Sequence, residues 1–212
     1  MSRDFTPALR FRWLTALYDP LMERWTAARS LRETVIEALD LRPGLRLLEL
    51  GCGPGRLAIE IKRRWPTVMI DALDRDPDIL RVARGNAAAA GVDITFREAD
   101  IAALSSLGPY DRAYSTLVFH HLKPEAKLDA LVSIRRSLAP EGTFVVGDFG
   151  RPRGRLQWVL FSVAGWLDGV ETTAPHRDGR FERQLRESFG HVRSVAIWPT
   201  IFGTLEVFVC RL

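Results

Sequence analysis

The chain has 212 residues, 47% hydrophobic and 26% charged, enough for one buried core in an ordinary water-soluble domain. No apolar run reaches the roughly 18 residues that span a bilayer. The opening MSRDFTPALRFRW lacks a secretory signal's apolar stretch, and the two cysteines, Cys52 and Cys210, suggest neither a disulfide framework nor a metal site, so a reducing cytoplasm is expected. The net charge of +4 comes from 27 Arg and three Lys with no basic block interleaved with aromatics, and no nucleic-acid partner is expected.

Periodicity predicts helices and strands in alternation. Residues from about Pro7 to Leu39 read as two helices, with Leu31, Val35, Ile36 and Leu39 at helical spacing and Pro43-Gly44 as the stop. Arg46 to Leu50 is the first strand, and an amphipathic helix, Arg56 to Arg64, follows it. Val68 to Leu73 is the second strand, and Asp76-Pro77 opens a helix reaching Gly91, with Asp76 as its cap. Short strand Asp93 to Arg97 and buried strand Tyr110 to Leu117 come next. A helix over Pro124 to Leu138 is closed by a turn, Ala139 to Gly142, before buried strand Thr143 to Asp148. Residues 150 to 180 break the rhythm. A short helix, Phe181 to Phe189, and an antiparallel pair, Val192 to Trp198 and Thr204 to Arg211, end the chain. Alternation of this kind implies an α/β fold, a doubly wound parallel sheet covered on both faces, with ligands at the carboxyl ends of its strands.

The most informative stretch is LLELGCGPGRLA, Leu47 to Ala58. A hydrophobic strand enters three glycines at alternate positions, Gly51, Gly53 and Gly55, and a helix follows. Glycines so placed let the backbone turn sharply and approach a ligand that a Cβ would hold off. The third glycine comes one residue too early for a dinucleotide fingerprint, and the Gly-Lys-Ser/Thr of a P-loop is missing. Glu49, at the carboxyl end of the strand, suits a cationic ligand better than a pyrophosphate. Asp74 stands 23 residues after Gly51, where an acidic side chain can accept hydrogen bonds from ribose hydroxyls. Asp71 and Asp76 compete with it, but the first lies inside a strand and the second is better spent as a helix cap.

These features resemble motif I of the class I S-adenosylmethionine-dependent methyltransferases. The closest likeness is to the ubiquinone/menaquinone C-methyltransferase-like group and its small-molecule relatives. The resemblance covers Leu41 to Phe149 strongly. It implies a Rossmann-like, seven-stranded, mostly parallel sheet with a reversed C-terminal strand, S-adenosylmethionine as cofactor and S-adenosylhomocysteine as product. The cofactor site it implies comprises Glu49, Gly51, Cys52, Gly53, Gly55, Asp74 and Arg75. Asp100 and Ile101 stand where relatives hold adenine, Thr116 and Leu117 where they line the methionine end, and Tyr18 where a tyrosine closes over the cofactor. APEGTFVVGDF, Ala139 to Phe149, matches the family's Leu-x-Pro-Gly-Gly strand entry, with Glu141 replacing a glycine. A single domain over 1–212 is expected: an N-terminal helical cap (1–42), a cofactor-binding core (43–149), an acceptor lid (150–180) and a closing helix and hairpin (181–212).

Methyl transfer needs proximity and alignment, and a base only where the acceptor must shed a proton. His120 and His121, just after the fourth strand, are the catalytic candidates, and sequence does not separate them; His176 is weaker. Arg151, Arg153 and Arg155 precede an apolar stretch holding Trp158, Phe161 and Trp166, and Arg10, Arg12, Phe11, Trp13, Leu14 and Leu17 repeat the theme. Such segments cover the sheet, line a pocket for a hydrophobic acceptor, or make peripheral contact with an anionic membrane. The expected activity is methylation of a small hydrophobic or aromatic acceptor at carbon or oxygen. The alternatives are N-methylation of a phospholipid head group, and a cofactor-binding partner subunit without catalysis. The Asn-Pro-Pro-Tyr-type motif for methylating amino groups of bases and glutamine is missing after the fourth strand.

Overall fold

A computed structural model describes residues 27–101, 104, 107–155, 157–159, 161–162, 170–200 and 203–212. The first predicted helix, Tyr18 and Trp166 lie outside them. Helix α1 (Ala27–Ala38) leads to β1 (Arg46–Leu50), α2 (Arg56–Arg64), β2 (Met69–Asp74), α3 (Pro77–Ala90), β3 (Thr95–Glu98) and β4 (Tyr110–Thr116). A 3-10 turn (Phe119–His121), α4 (Pro124–Ser137), β5 (Leu138–Gly150), α5 (Val170–Arg177), α6 (Arg180–Ser188), β6 (His191–Thr200) and β7 (Gly203–Arg211) follow.

The strands form one seven-stranded sheet in the order β3-β2-β1-β4-β5-β7-β6. The pairs among β1 to β5 are parallel, and β7 runs antiparallel to both β5 and β6. This is the expected doubly wound sheet with a reversed final strand. Side chains of a strand alternate between its faces, and β1 shows it. Leu47 packs with Leu31 and Val35 of α1, Leu57 and Ile61 of α2 and Leu80 of α3. Leu48 and Leu50 pack on the other face with Ala130 and Ile134 of α4 and Phe181 and Leu185 of α6. Gly147 in β5 lets α1 approach, since a Cβ there would come within 2.9 Å of Leu31.

The structure departs from the expected elements in two places. The turn predicted over Ala139 to Gly142 is part of β5, which pairs Leu138 with Tyr110 and Thr143 with Arg112 across an irregular register. Pro140 and Gly142, which read as turn residues, are absorbed in that irregularity. The 150–180 segment contains a helix, α5, which includes Pro175. Pro199 lies in β6, the edge of the sheet, where a strand tolerates proline. Among the described residues no helix is long and apolar enough to cross a membrane.

Candidate functional site

The carboxyl ends of β1 to β5 bring most of the predicted residues to one edge. After β1 the chain turns through Gly51 at φ 69° and Gly53 at φ 52°, left-handed conformations that favour glycine. A Cβ on Gly51 would come within 2.4 Å of Val118, whereas one on Gly53 would meet nothing within 4 Å. The loop thus packs its first glycine against the turn after β4 and leaves open space before its second. Cys52 N–H donates to Leu73 O at 2.8 Å, and the Asn86 amide donates to Pro54 O at 2.9 Å. Burial pushes the Cys52 thiol well above its ordinary range, and the Glu49 and Asp74 carboxylates push it further, so it is no thiolate at neutral pH.

Asp74, at the end of β2, accepts from Gly53 N–H at 2.9 Å and from Asp76 N–H at 3.1 Å. It therefore braces the glycine loop, a task that its position alone did not reveal. Each carboxylate oxygen keeps a lone pair for a further donor. The rival acids are committed elsewhere. Asp71 accepts from the Tyr110 hydroxyl at 2.7 Å and from Arg97 at 3.2 Å. Asp76 caps α3, accepting from Asp78 N–H at 2.8 Å. Ala99 N–H donates to Asp74 O at 3.1 Å, so the segment carrying Asp100 is tied to the end of β2. Ile101 is buried there, while Asp100 and Arg75 are exposed.

Glu49 is buried at 3% exposure, opposite Tyr114 of β4. Among the described residues, neither its Oε2 nor the Tyr114 hydroxyl has a hydrogen-bond partner of normal geometry. Burial raises the Glu49 carboxyl to about 8; the Tyr114 hydroxyl and Ala58 N–H oppose the rise and the Asp74 charge adds to it.

At the end of β4, Thr116 and Leu117 are half-buried. Leu117 takes φ 56°, rare for a residue with a γ-branched side chain and a conformation that collects at functional sites. The turn that follows separates the two histidines. His121 is exposed, whereas His120 is buried with its Nδ1 2.7 Å from Asp148 Oδ1. Asp148 also accepts from Val118 N–H at 3.1 Å, Phe119 N–H at 2.7 Å and Phe149 N–H at 2.7 Å. Burial alone would raise Asp148, but the His120 and His176 imidazoles and the Phe149 N–H hold it well below the usual carboxylate range. Sequence reasoning passed over Asp148, although it carries the signal that exposed Glu49: an acid ending an otherwise apolar strand.

Residues from 150 to 180 approach the same edge. His176 of α5 is buried, its Nδ1 donating to Phe149 O at 2.7 Å, and burial lowers its pKa to about 4, with Lys127 and His120 adding to the fall and Asp148 opposing it. Lys127 of α4 is buried and donates to Leu122 O and Thr172 O; burial lowers it to about 8. Phe149 meets the rings of His120 at 4.8 Å and Phe161 at 5.9 Å between centroids. Arg151, Arg153, Arg155 and Trp158 are exposed, with the Arg177 guanidinium 5.0 Å over the Trp158 ring. Among the described residues no group of three or more His, Cys, Asp or Glu side chains is disposed to hold a metal ion.

Known proteins share these features. The profile of a family described as a methyltransferase domain matches residues 47–142. Trans-aconitate 2-methyltransferase of Streptomyces avermitilis is 34% identical over 142 residues, 65% of this chain and 52% of that protein. Demethylmenaquinone methyltransferase of Thermus thermophilus is 36% identical over 137 residues, 64% of this chain and 61% of that protein. The chain therefore spans little more than half the length of these curated relatives. Among solved structures, the apo form of the S-adenosylmethionine-dependent methyltransferase SibL is 25% identical with a TM-score of 0.68, covering 95% of this chain and 60% of that one. Strand order, reversed final strand, glycine loop and these likenesses converge: the chain belongs to the class I S-adenosylmethionine-dependent methyltransferases, and S-adenosylmethionine is its cofactor.

Proposed function

We propose that the protein transfers a methyl group to a small hydrophobic or aromatic acceptor, at carbon or oxygen. The observation that carries the cofactor half of this reading is the buried Glu49 with one bare oxygen, beside a loop whose Gly53 leaves open space. A buried carboxylate is costly unless something pairs with it, and the ammonium of S-adenosylmethionine is of the right charge. Gly51, Cys52, Gly53 and Gly55 would hold the methionine part, with Thr116 and Leu117 at its far end and Tyr18 over it. Asp74 would accept from the ribose hydroxyls beside Arg75, and Asp100 and Ile101 would hold adenine. Bound there, the cofactor supplies an activated methyl group on a sulfonium. The chain's own contribution is to orient it, exclude water and receive the acceptor beside the His120 turn.

The acceptor half rests on the aromatic surroundings of that turn, Phe149, Phe161 and the histidine rings, which suit an apolar or aromatic molecule. Relatives named for trans-aconitate and demethylmenaquinone support a small acceptor and leave its identity open. Residues 150–180 act in this reading as the acceptor lid. A second reading, phospholipid head-group methylation, is favoured by one observation: Trp158 and Val159 are exposed at 50% and 52% beside three exposed arginines. Labelled methyl transfer into metabolite and lipid extracts, with mass spectrometry of the products, tests both readings. Label in a small aromatic or hydrophobic metabolite supports the first. Label in a phospholipid, with salt-sensitive binding to acidic vesicles, supports the second. Cofactor binding without transfer to any extract component would favour a non-catalytic partner subunit.

A further inference from the structure

We propose that Asp148 is the positioning residue that makes His120, and not His121, the base of the reaction, and that the acceptor is therefore a hydroxyl compound, a phenol, hydroquinone or enol, that gives up its proton as it attacks. The inference rests on the methyl-transfer reading above and names its substrate class.

The argument starts from one carboxylate. Asp148 Oδ2 accepts two backbone N–H groups, those of Val118 and Phe119, and Oδ1 faces His120 Nδ1 at 2.7 Å. An ionised carboxylate only accepts, so His120 Nδ1 carries the hydrogen and Nε2 presents a lone pair. The same bonds fix the turn. Val118 leans on Gly51 of the cofactor loop, Phe119 is buried, and Lys127 holds the far end through Leu122 O. His120 is thus held in one tautomer, on a rigid turn against the glycine loop, which a base requires and a space-filling histidine does not. No hydrogen bond from a carboxylate fixes His121, which stands exposed beside it.

The step balances. The acceptor hydroxyl passes its proton to His120 Nε2. The electron pair of the oxygen, or of the ring carbon conjugated to it, forms the bond to the methyl carbon. The carbon–sulfur bond breaks and its pair returns to sulfur, which becomes a neutral thioether. The positive charge ends on the imidazole, beside the Asp148 carboxylate. A carboxylate acceptor attacks without shedding a proton and has no use for such a base.

Asp148→Asn tests this, because the geometry dictates how the amide sits. The two backbone N–H groups at Oδ2 require the amide oxygen there, which turns the amide nitrogen toward His120 and makes Nδ1 the acceptor and Nε2 the N–H. Imidazole nitrogen NMR of the cofactor-free protein should show Nδ1–H in the wild type and Nε2–H in the variant. With the acceptor found by the labelled-methyl assay, kcat should fall about 100-fold or more, with S-adenosylhomocysteine affinity unchanged. His120→Gln should do the same, and it serves if the Asp148 variant does not fold. Three results would overturn the proposal: an Nε2–H tautomer in the wild type, unimpaired kcat in a folded variant of either residue, or an acceptor methylated on a carboxylate. Failure of the wild type to bind S-adenosylhomocysteine would instead strike the methyl-transfer reading itself.

Discussion

Cofactor binding should release a proton from Glu49. Its carboxyl is raised to about 8 in the free protein, so at pH 6.5 about 97% of molecules carry the proton, and the ligand's ammonium pairs only with the ionised form. Ionising a group 1.5 pH units below its pKa costs about 2 kcal/mol, or about 30-fold in affinity. Apparent affinity for S-adenosylhomocysteine should therefore tighten about tenfold per pH unit between pH 6 and 7.5. It should be greatest near pH 8, above which the ligand's own amino group, of α-amino type, begins to lose its charge. Calorimetry at pH 6.5 in buffers of different ionisation enthalpy should count about one proton released per ligand bound, and Glu49→Gln should abolish that release. The same shift bears on the free protein. A carboxyl raised in the fold contributes stability that is full below about pH 4.5 and is lost as the pH rises through 8, a loss Glu49→Gln should remove. Zero proton release by the wild type, or an affinity flat from pH 6 to 8, would refute the pairing of Glu49 with the ammonium.

Two further outcomes follow from the acids and the buried imidazole. Asp74→Ala should weaken S-adenosylhomocysteine binding by about 1–3 kcal/mol or more, since it removes both the ribose acceptor and the Gly53 brace; Asp71→Ala should lower unfolding free energy by a similar amount and leave affinity nearly intact, as denaturation and binding curves would show. His176 has a pKa lowered to about 4, so its neutral burial contributes stability that is full above about pH 6.5 and is lost as the pH falls toward 4, on the order of 3 kcal/mol at most. The difference in unfolding free energy between wild type and His176→Phe should therefore shrink as pH falls through that window, and a constant difference would exclude this role.

The fold was legible wherever local chemistry and tertiary structure agree. The apolar run into Gly51-Cys52-Gly53, the Asp76-Pro77 helix start and the buried face of α1 at Leu31, Val35, Ile36 and Leu39 all carry their structure in neighbouring residues. The Ala139–Gly142 stretch does not: its composition is that of a turn, and pairing with β4 draws it into β5. Helix α5 was equally hidden, because Thr172, Thr173 and Pro175 disfavour helix and only packing on the sheet edge holds it. The cofactor edge was readable because motif residues lie within a few positions of each other. The choice between His120 and His121 was not, because it depends on an aspartate 28 residues away. Asp74 shows a middle case, its strand-end position legible and its bond to Gly53 N–H visible only in the fold.

The account's central claim is that the loop after β1 holds S-adenosylmethionine, and Gly53 offers its most direct test. A side chain there would project into open space, so Gly53→Val should fill the volume the cofactor needs. The left-handed backbone adds a strain of about 1–2 kcal/mol, which a folded domain tolerates. Calorimetric titration with S-adenosylhomocysteine should show one site per chain in the wild type and none in a Gly53→Val protein that still unfolds cooperatively. No binding by the wild type, or equal binding by the folded variant, would contradict the assignment.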